Sequence, residues 1–305
     1  MNGTEIIAFL ADNLPAVINA VGAVTGGLLT AIFLRHNTAT KEFEKIKAGQ
    51  FKEVADDLLK SGEMTLTEYY KANNFLAVAK KADEHYSKMP QRDRFDSYDF
   101  DWFIRFYEAV GNISNDEMQD LWARILAGEI SHPSTFSLRT IDALKNINKC
   151  DAALFEKVCI HSICSDGNWF LPRYNKFLEE VSISYSDIMQ LSELGLMYND
   201  GTIVLKANPQ NGTNYLVTNR DLIMLYSVTD ENKHRFNIHQ YPLTQVGREL
   251  ASINGQCMTN DEFLMFAKEI KKENAKVLFE VHRIIVRNGT QIQYDEEDLL
   301  DNKRT

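Results

Sequence analysis

LPAVINAVGAVTGGLLTAIFL, Leu14 to Leu34, runs twenty-one residues without a formal charge. As a helix rising about 1.5 Å per residue it would extend roughly 30 Å, the thickness of a bilayer's hydrocarbon core. No other segment of the 305 residues is comparable. Four Ala, three Gly, two Thr, Asn19 and Pro15 dilute it, so a buried core helix or an interfacial helix is the alternative reading. Glu5 and Asp12 precede it, where a cleaved leader carries Lys or Arg. Arg35, Lys41, Lys45 and Lys47 follow it, so the positive-inside rule places the N-terminus outside and the C-terminal body in the cytoplasm.

Small residues let membrane helices approach closely, which favours a homo-oligomer in the lipid bilayer. Glu5, Asp12, Asn19, Gly26 and Phe33 fall seven apart, on one stripe of a continuous helix. In a parallel oligomer the pore-lining set would be Asp12, Asn19, Gly22, Gly26, Thr30 and Phe33, with acidic and amide rings and an aromatic constriction. Against this, Asn13-Leu14-Pro15 also reads as the cap and first turn of a new helix, which would break the register and leave a packed anchor without a pore.

The net charge of −10 argues against generic binding to nucleic-acid backbones and leaves room for a local basic pocket. Cys150, Cys159, Cys164 and Cys257 contain no CxxC pair and read as reduced, mostly buried thiols. Cys159, His161 and Cys164 match no common zinc spacing, and no metal is expected.

The expected fold class is mainly α with a smaller α+β part, behind a single N-terminal transmembrane helix. Residues 1–36 form the membrane segment, 37–98 a helical stalk and hairpin, and 99–165 a helical bundle. Residues 166–255 form a winged-helix-like region, and 256–305 an α/β element with an acidic tail. The bundle rests on an aromatic helix from Asp99 to Val110, a helix opened by Ser114, another started by Ser134 or Thr135, and one from Asp151 to Cys164. The winged-helix outline comes from helix Ser184–Leu194, a hairpin turning at Asn199-Asp200-Gly201, and a closing helix Gln245–Ile253. Thr259–Glu273 reads as helix and Val277–Arg287 as strand.

LWARILAGE (Leu121–Glu129), FSLRT (Phe136–Thr140), the segment LKNINKCDAALFEKVC and PLTQVGRELASI (Pro242–Ile253) resemble a bacterial family known as a domain of unknown function. The resemblance covers about residues 65 to 255. It implies a bacterial or phage-borne protein of helical plus winged-helix type and no activity, with the Leu14–Leu34 stretch as this chain's own addition. In the physical reading of these motifs, Trp122, Ile125 and Leu126 are core. Arg124, Glu129 and Arg139 tie adjacent helices by charge-assisted hydrogen bonds.

No phosphate-binding loop, dinucleotide fingerprint, nucleophile elbow or zinc-protease motif occurs, so the chain reads as a non-enzyme without a cofactor. His234 and His239 read as exposed loop residues. Helix Ser184–Leu194 holds Asp187 and Glu193 and no Arg or Lys, which disfavours duplex DNA. Arg173, Lys176, Lys206 and Arg220 would form a smaller anion site, with Trp169, Tyr174 and Tyr215 as stacking surfaces; scattered surface charge is the alternative.

The function expected is an oligomeric single-span membrane effector, an ion channel or membrane-disrupting protein gated by a nucleotide or oligonucleotide signal from a partner nucleotidyltransferase. Its architecture is similar to that of membrane effectors of bacterial antiphage defence, which implies the bacterial inner membrane. An anchored scaffold without a pore and a soluble winged-helix regulator are the competing readings.

Overall fold

In the computed structural model the described residues are 60, 62, 65–89, 99–165, 167–207, 212–228, 236–275, 277–288 and 291–300. They form two compact units, divided between Lys145 and Asn146.

The first unit is helical: α1 (Leu66–Tyr86), α2 (Phe100–Val110), α3 (Asp116–Ser131) and α4 (Leu138–Leu144). In α1, Phe75, Val78, Ala79 and Ala82 recur at three- and four-residue steps and are buried, which lays one stripe of the helix against α3. Aromatic rings fill the centre. Trp102 stacks on Phe106 at 5.1 Å, and Phe106 meets Trp122 edge-on at 5.5 Å. His85 Nε2 lies 2.7 Å from Asp120 Oδ1, and Arg124 Nε lies 3.2 Å from Asp120 Oδ2 within its own helix. Asp99, Asn115 and Ser137 cap α2, α3 and α4 through their side chains.

Glu129 explains the LAGE motif. It is buried, and its carboxylate accepts from the Ser134 backbone N–H at 2.6 Å and from that of Phe136 at 2.9 Å. Those bonds hold Ser134 at φ 68°, a left-handed conformation that a serine seldom adopts. The helix expected to start at Ser134 or Thr135 therefore begins only after Ser137. Glu129→Ala should lower stability by about 2 kcal/mol in urea unfolding, because two backbone donors lose a charged acceptor. A loss below about 0.5 kcal/mol would show that the turn does not depend on this carboxylate.

The second unit runs α5 (Lys149–His161), β1 (Ile163–Ser165), β2 (Asn168–Pro172), α6 (Asn175–Glu180), α7 (Tyr185–Glu193), β3 (Val204–Ala207), β4 (Gly212–Thr218), β5 (Leu222–Val228), β6 (Phe236–Pro242), α8 (Gln245–Ala251), α9 (Asn260–Glu273), β7 (Leu278–Asn288) and β8 (Gln291–Tyr294). Capping boxes open α5 (Asn148, Asp151), α7 (Ser184, Asp187) and α9 (Thr259, Glu262). Two antiparallel four-stranded sheets result, ordered β1-β2-β6-β3 and β4-β5-β7-β8. In the first, Leu171 faces Tyr241 and Leu205 faces Ile238. A helix, a strand, two helices and two more strands in the order β2-β6-β3 have the connectivity of a winged helix. Strands β4 and β5 are inserted between β3 and β6, where a wing loop would be. Phe236 joins the two sheets, meeting Tyr226 at 5.0 Å and Phe279 at 5.1 Å.

The expected fold class is corrected in two respects. The described residues are about half helical and carry sizeable antiparallel sheets, with roughly one strand residue for every two in helices. The stretch FNIHQYP reads as a polar loop but forms β6. It is an interior strand because Phe236 and Ile238 are buried, with exposed Asn237 between them, and both its edges are paired. The hairpin through Asn199-Asp200-Gly201 does not form either: Met197 bridges Leu243, and β3 pairs with β6. The second correction concerns the transmembrane helix. No helix among the described residues is long and apolar enough to cross a membrane. The longest, α1, carries Lys71, Lys80, Lys81, Asp83 and Glu84. Leu14–Leu34, with Asp12, Asn19, Gly22, Gly26, Thr30 and Phe33, lies outside the described residues. The single-span architecture and the ion-channel reading built on it are without structural support.

Candidate functional site

Helix α9 buries Phe263, Phe266, Ala267 and Ile270 on one face, and each phenylalanine contributes roughly 2 kcal/mol by leaving water. The adjoining face carries Asp261, Leu264, Met265 and Lys268, which form one wall of a cleft of about 980 Å³. Small-molecule sites span about 300–1,000 Å³, so this cleft is of ligand size. Lys176 of α6, Asp221 and Leu222 at the start of β5, Arg283 and Ile284 of β7, and Glu297 and Leu299 of the returning tail complete it.

The walls are tied together. Asn219 is buried; its Oδ1 accepts from the Asp221 and Leu222 backbone N–H groups at 3.0 and 2.6 Å, and its amide donates to Asn260 Oδ1 at 2.9 Å. The β4–β5 turn is thereby pinned to the first turn of α9. The Ile284 N–H donates to the Asp221 carbonyl at 2.7 Å, and the Leu299 N–H to that of Val281 at 2.8 Å. Below α9, Glu262 closes the capping box with Thr259 and lies 3.2 Å from His161 Nε2. Burial pushes Glu262 up, but the Thr259 bonds and the nearby imidazole outweigh it and hold the carboxyl below the usual range. Lys176, Lys268 and Arg283 form no side-chain ion pair or hydrogen bond among the described residues, although three carboxylates line the same cleft.

The four cations expected to form an anion site are not gathered in this cleft. Lys176 lines it. Arg173 instead donates through Nη2 to His239 Nδ1 at 2.7 Å, and its guanidinium carbon lies 6.0 Å from the centre of the Tyr241 ring. Because arginine only donates, His239 keeps its proton on Nε2, 3.4 Å from Glu273 Oε2. Arg220 is exposed and not part of the cleft wall, and the Lys206 and Tyr215 side chains lie outside the described residues. Tyr174 is buried against Phe266 at 6.0 Å, and burial pushes its hydroxyl up, so it offers no open ring face; Trp169 is half-buried on β2. His239 sits on β6 rather than in a loop.

Of the motif residues, Trp122 is fully buried, Arg124 pairs within its helix, Glu129 shapes the turn and Arg139 is exposed. Among the cysteines Cys159 is buried, with its thiol pushed up chiefly by that burial, whereas Cys150 and Cys164 are exposed. No group of His, Cys, Asp and Glu able to hold a metal occurs among the described residues.

Asp221, Asp261, Lys268 and Arg283 escaped the sequence reading. The spacing of Asp261, Leu264, Met265 and Lys268 marks one helical face, but nothing local says that β5 and β7 close over it.

The described residues thus comprise a helical unit and an α/β unit of winged-helix connectivity with an inserted second sheet and a cleft of mixed charge. The chain belongs to the family described as a protein of unknown function (DUF2806), which it matches over residues 63–268. No curated protein and no solved structure matches it. The family match takes in the α9 wall as far as Lys268, while Arg283 lies beyond it.

Proposed function

We propose that the second unit is a recognition module for a phosphate-bearing signal, a nucleotide or a short single-stranded oligonucleotide, bound in the cleft beside α9. The observation that carries this reading is the set of three cations in one ligand-sized cleft with no side-chain partner among the described residues. Phosphate oxygens accept charge-assisted hydrogen bonds from such groups. Duplex DNA is not the partner proposed, because α7 would offer Asp187 and Glu193 to the groove and no Lys or Arg. A partner nucleotidyltransferase would supply the signal. The module binds its ligand without transforming it.

The test is calorimetric titration of the full chain with ribonucleoside phosphates, inorganic phosphate and a short oligoribonucleotide. Replacing both Lys176 and Lys268 by alanine should weaken phosphate-dependent binding at least about tenfold, or 1.4 kcal/mol. Binding by the wild type should also fall as salt rises. Equal affinity in the double variant would move the site elsewhere.

A further inference from the structure

The cleft has two electrically different ends. Asp261 and Lys268 are seven residues apart on α9, about 10 Å along its axis. Asp221 belongs to the acidic end, because Asn219 and Asn260, bonded to each other at 2.9 Å, bring the β5 start to the first turn of the helix. Glu297 joins them in the segment bonded back along β7, leaving Arg283 as the cation at that end. Lys176 belongs with Lys268, since α6 packs at the level of Phe266, with Phe177 at 6.3 Å. The positive dipole end of α9 is already matched by the Asp261 carboxylate, so phosphate is not drawn there. Leu264 and Met265, both half-buried, supply apolar surface to the same cleft.

Resting on the cleft reading above, we infer that the ligand is a single ribonucleoside phosphate lying along α9. Its phosphate sits on Lys176 and Lys268, and its ribose hydroxyls donate to Asp221 and Asp261. The base lies against Leu264 and Met265. An oligonucleotide strand needs a cationic track that continues past the first phosphate. Here the two lysines give way to three carboxylates against the single cation Arg283, a net negative end that repels a second phosphate and accepts from hydroxyls. Asp221 and Asp261 are thus the specificity-determining residues.

The experiment titrates the full chain with the ribonucleoside monophosphate of each common base, their 2′,3′-dideoxy counterparts, inorganic phosphate and a short oligoribonucleotide. The wild type should prefer at least one ribonucleotide over its dideoxy counterpart by about tenfold, and over the oligoribonucleotide. Asp221→Ala with Asp261→Ala, both at exposed positions, should erase the ribose preference without weakening inorganic phosphate. If the preference survives in the double variant, or the oligoribonucleotide binds more tightly than every nucleotide, the inference is overturned while the cleft reading stands. If no phosphate-bearing probe binds the wild type, the cleft reading and the inference both fall.

Discussion

Gly247→Ala is expected to destabilise the protein by about 3 kcal/mol, although alanine is the better helix former by about 1 kcal/mol. Gly247 lies in α8 and is buried. A Cβ there would fall inside van der Waals contact with the Leu196 carbonyl and 3.2 Å from the Leu243 Cβ. The Thr244 N–H donates to that same carbonyl at 3.0 Å, and the Thr244 hydroxyl accepts from the Gly247 N–H at 3.1 Å. The obstruction is therefore backbone, not a side-chain end that could turn aside. Relief requires moving α8 or the chain that leaves α7, and either shift disturbs the Met197–Leu243 bridge. Urea unfolding followed by far-UV circular dichroism gives the sign directly. A stabilised variant would mean that α8 does not rest on Leu196, because helix propensity alone predicts stabilisation.

Trp122→Ala should cost about 4 kcal/mol, within the range for emptying a large buried aromatic site. The residue is 0% exposed and meets Phe106, which in turn stacks on Trp102. Removing it withdraws a partner ring and leaves a cavity that helices held at both ends cannot fill. Trp122→Phe should cost much less. It keeps most of the volume and deletes an indole N–H that is buried without a hydrogen-bond partner. The pair is measured by urea unfolding with circular dichroism. Similar losses for both substitutions would show that the indole N–H matters more than ring volume, contrary to the packing argument.

The LWARILAGE stretch shows how far local reading reaches. Trp122, Ile125 and Leu126 lie on the buried stripe of α3 as their spacing requires. Glu129 reads as a structural acceptor, and its carboxylate accepts from two backbone donors of the following turn. Arg139, grouped with it, is exposed. A carboxylate in a motif announces that something nearby donates, and only the path of the chain says what.

The sequence by itself determined the features that depend on a few adjacent residues. Among them are the Ser184 and Thr259 capping boxes, the apolar faces of α1 and α9, and the depletion of basic residues on α7. These follow from helical periodicity and side-chain-to-backbone bonds within one turn, which the chain carries wherever it folds. The tertiary structure alone decided that FNIHQYP is an interior strand and that Gly247 must lack a side chain. It also decided that Asp221, Lys176, Arg283 and Lys268, scattered over more than a hundred residues, share one cleft. Strand pairing and close approach are relations between distant segments, set by which surfaces meet when water is excluded, and no local spacing records them.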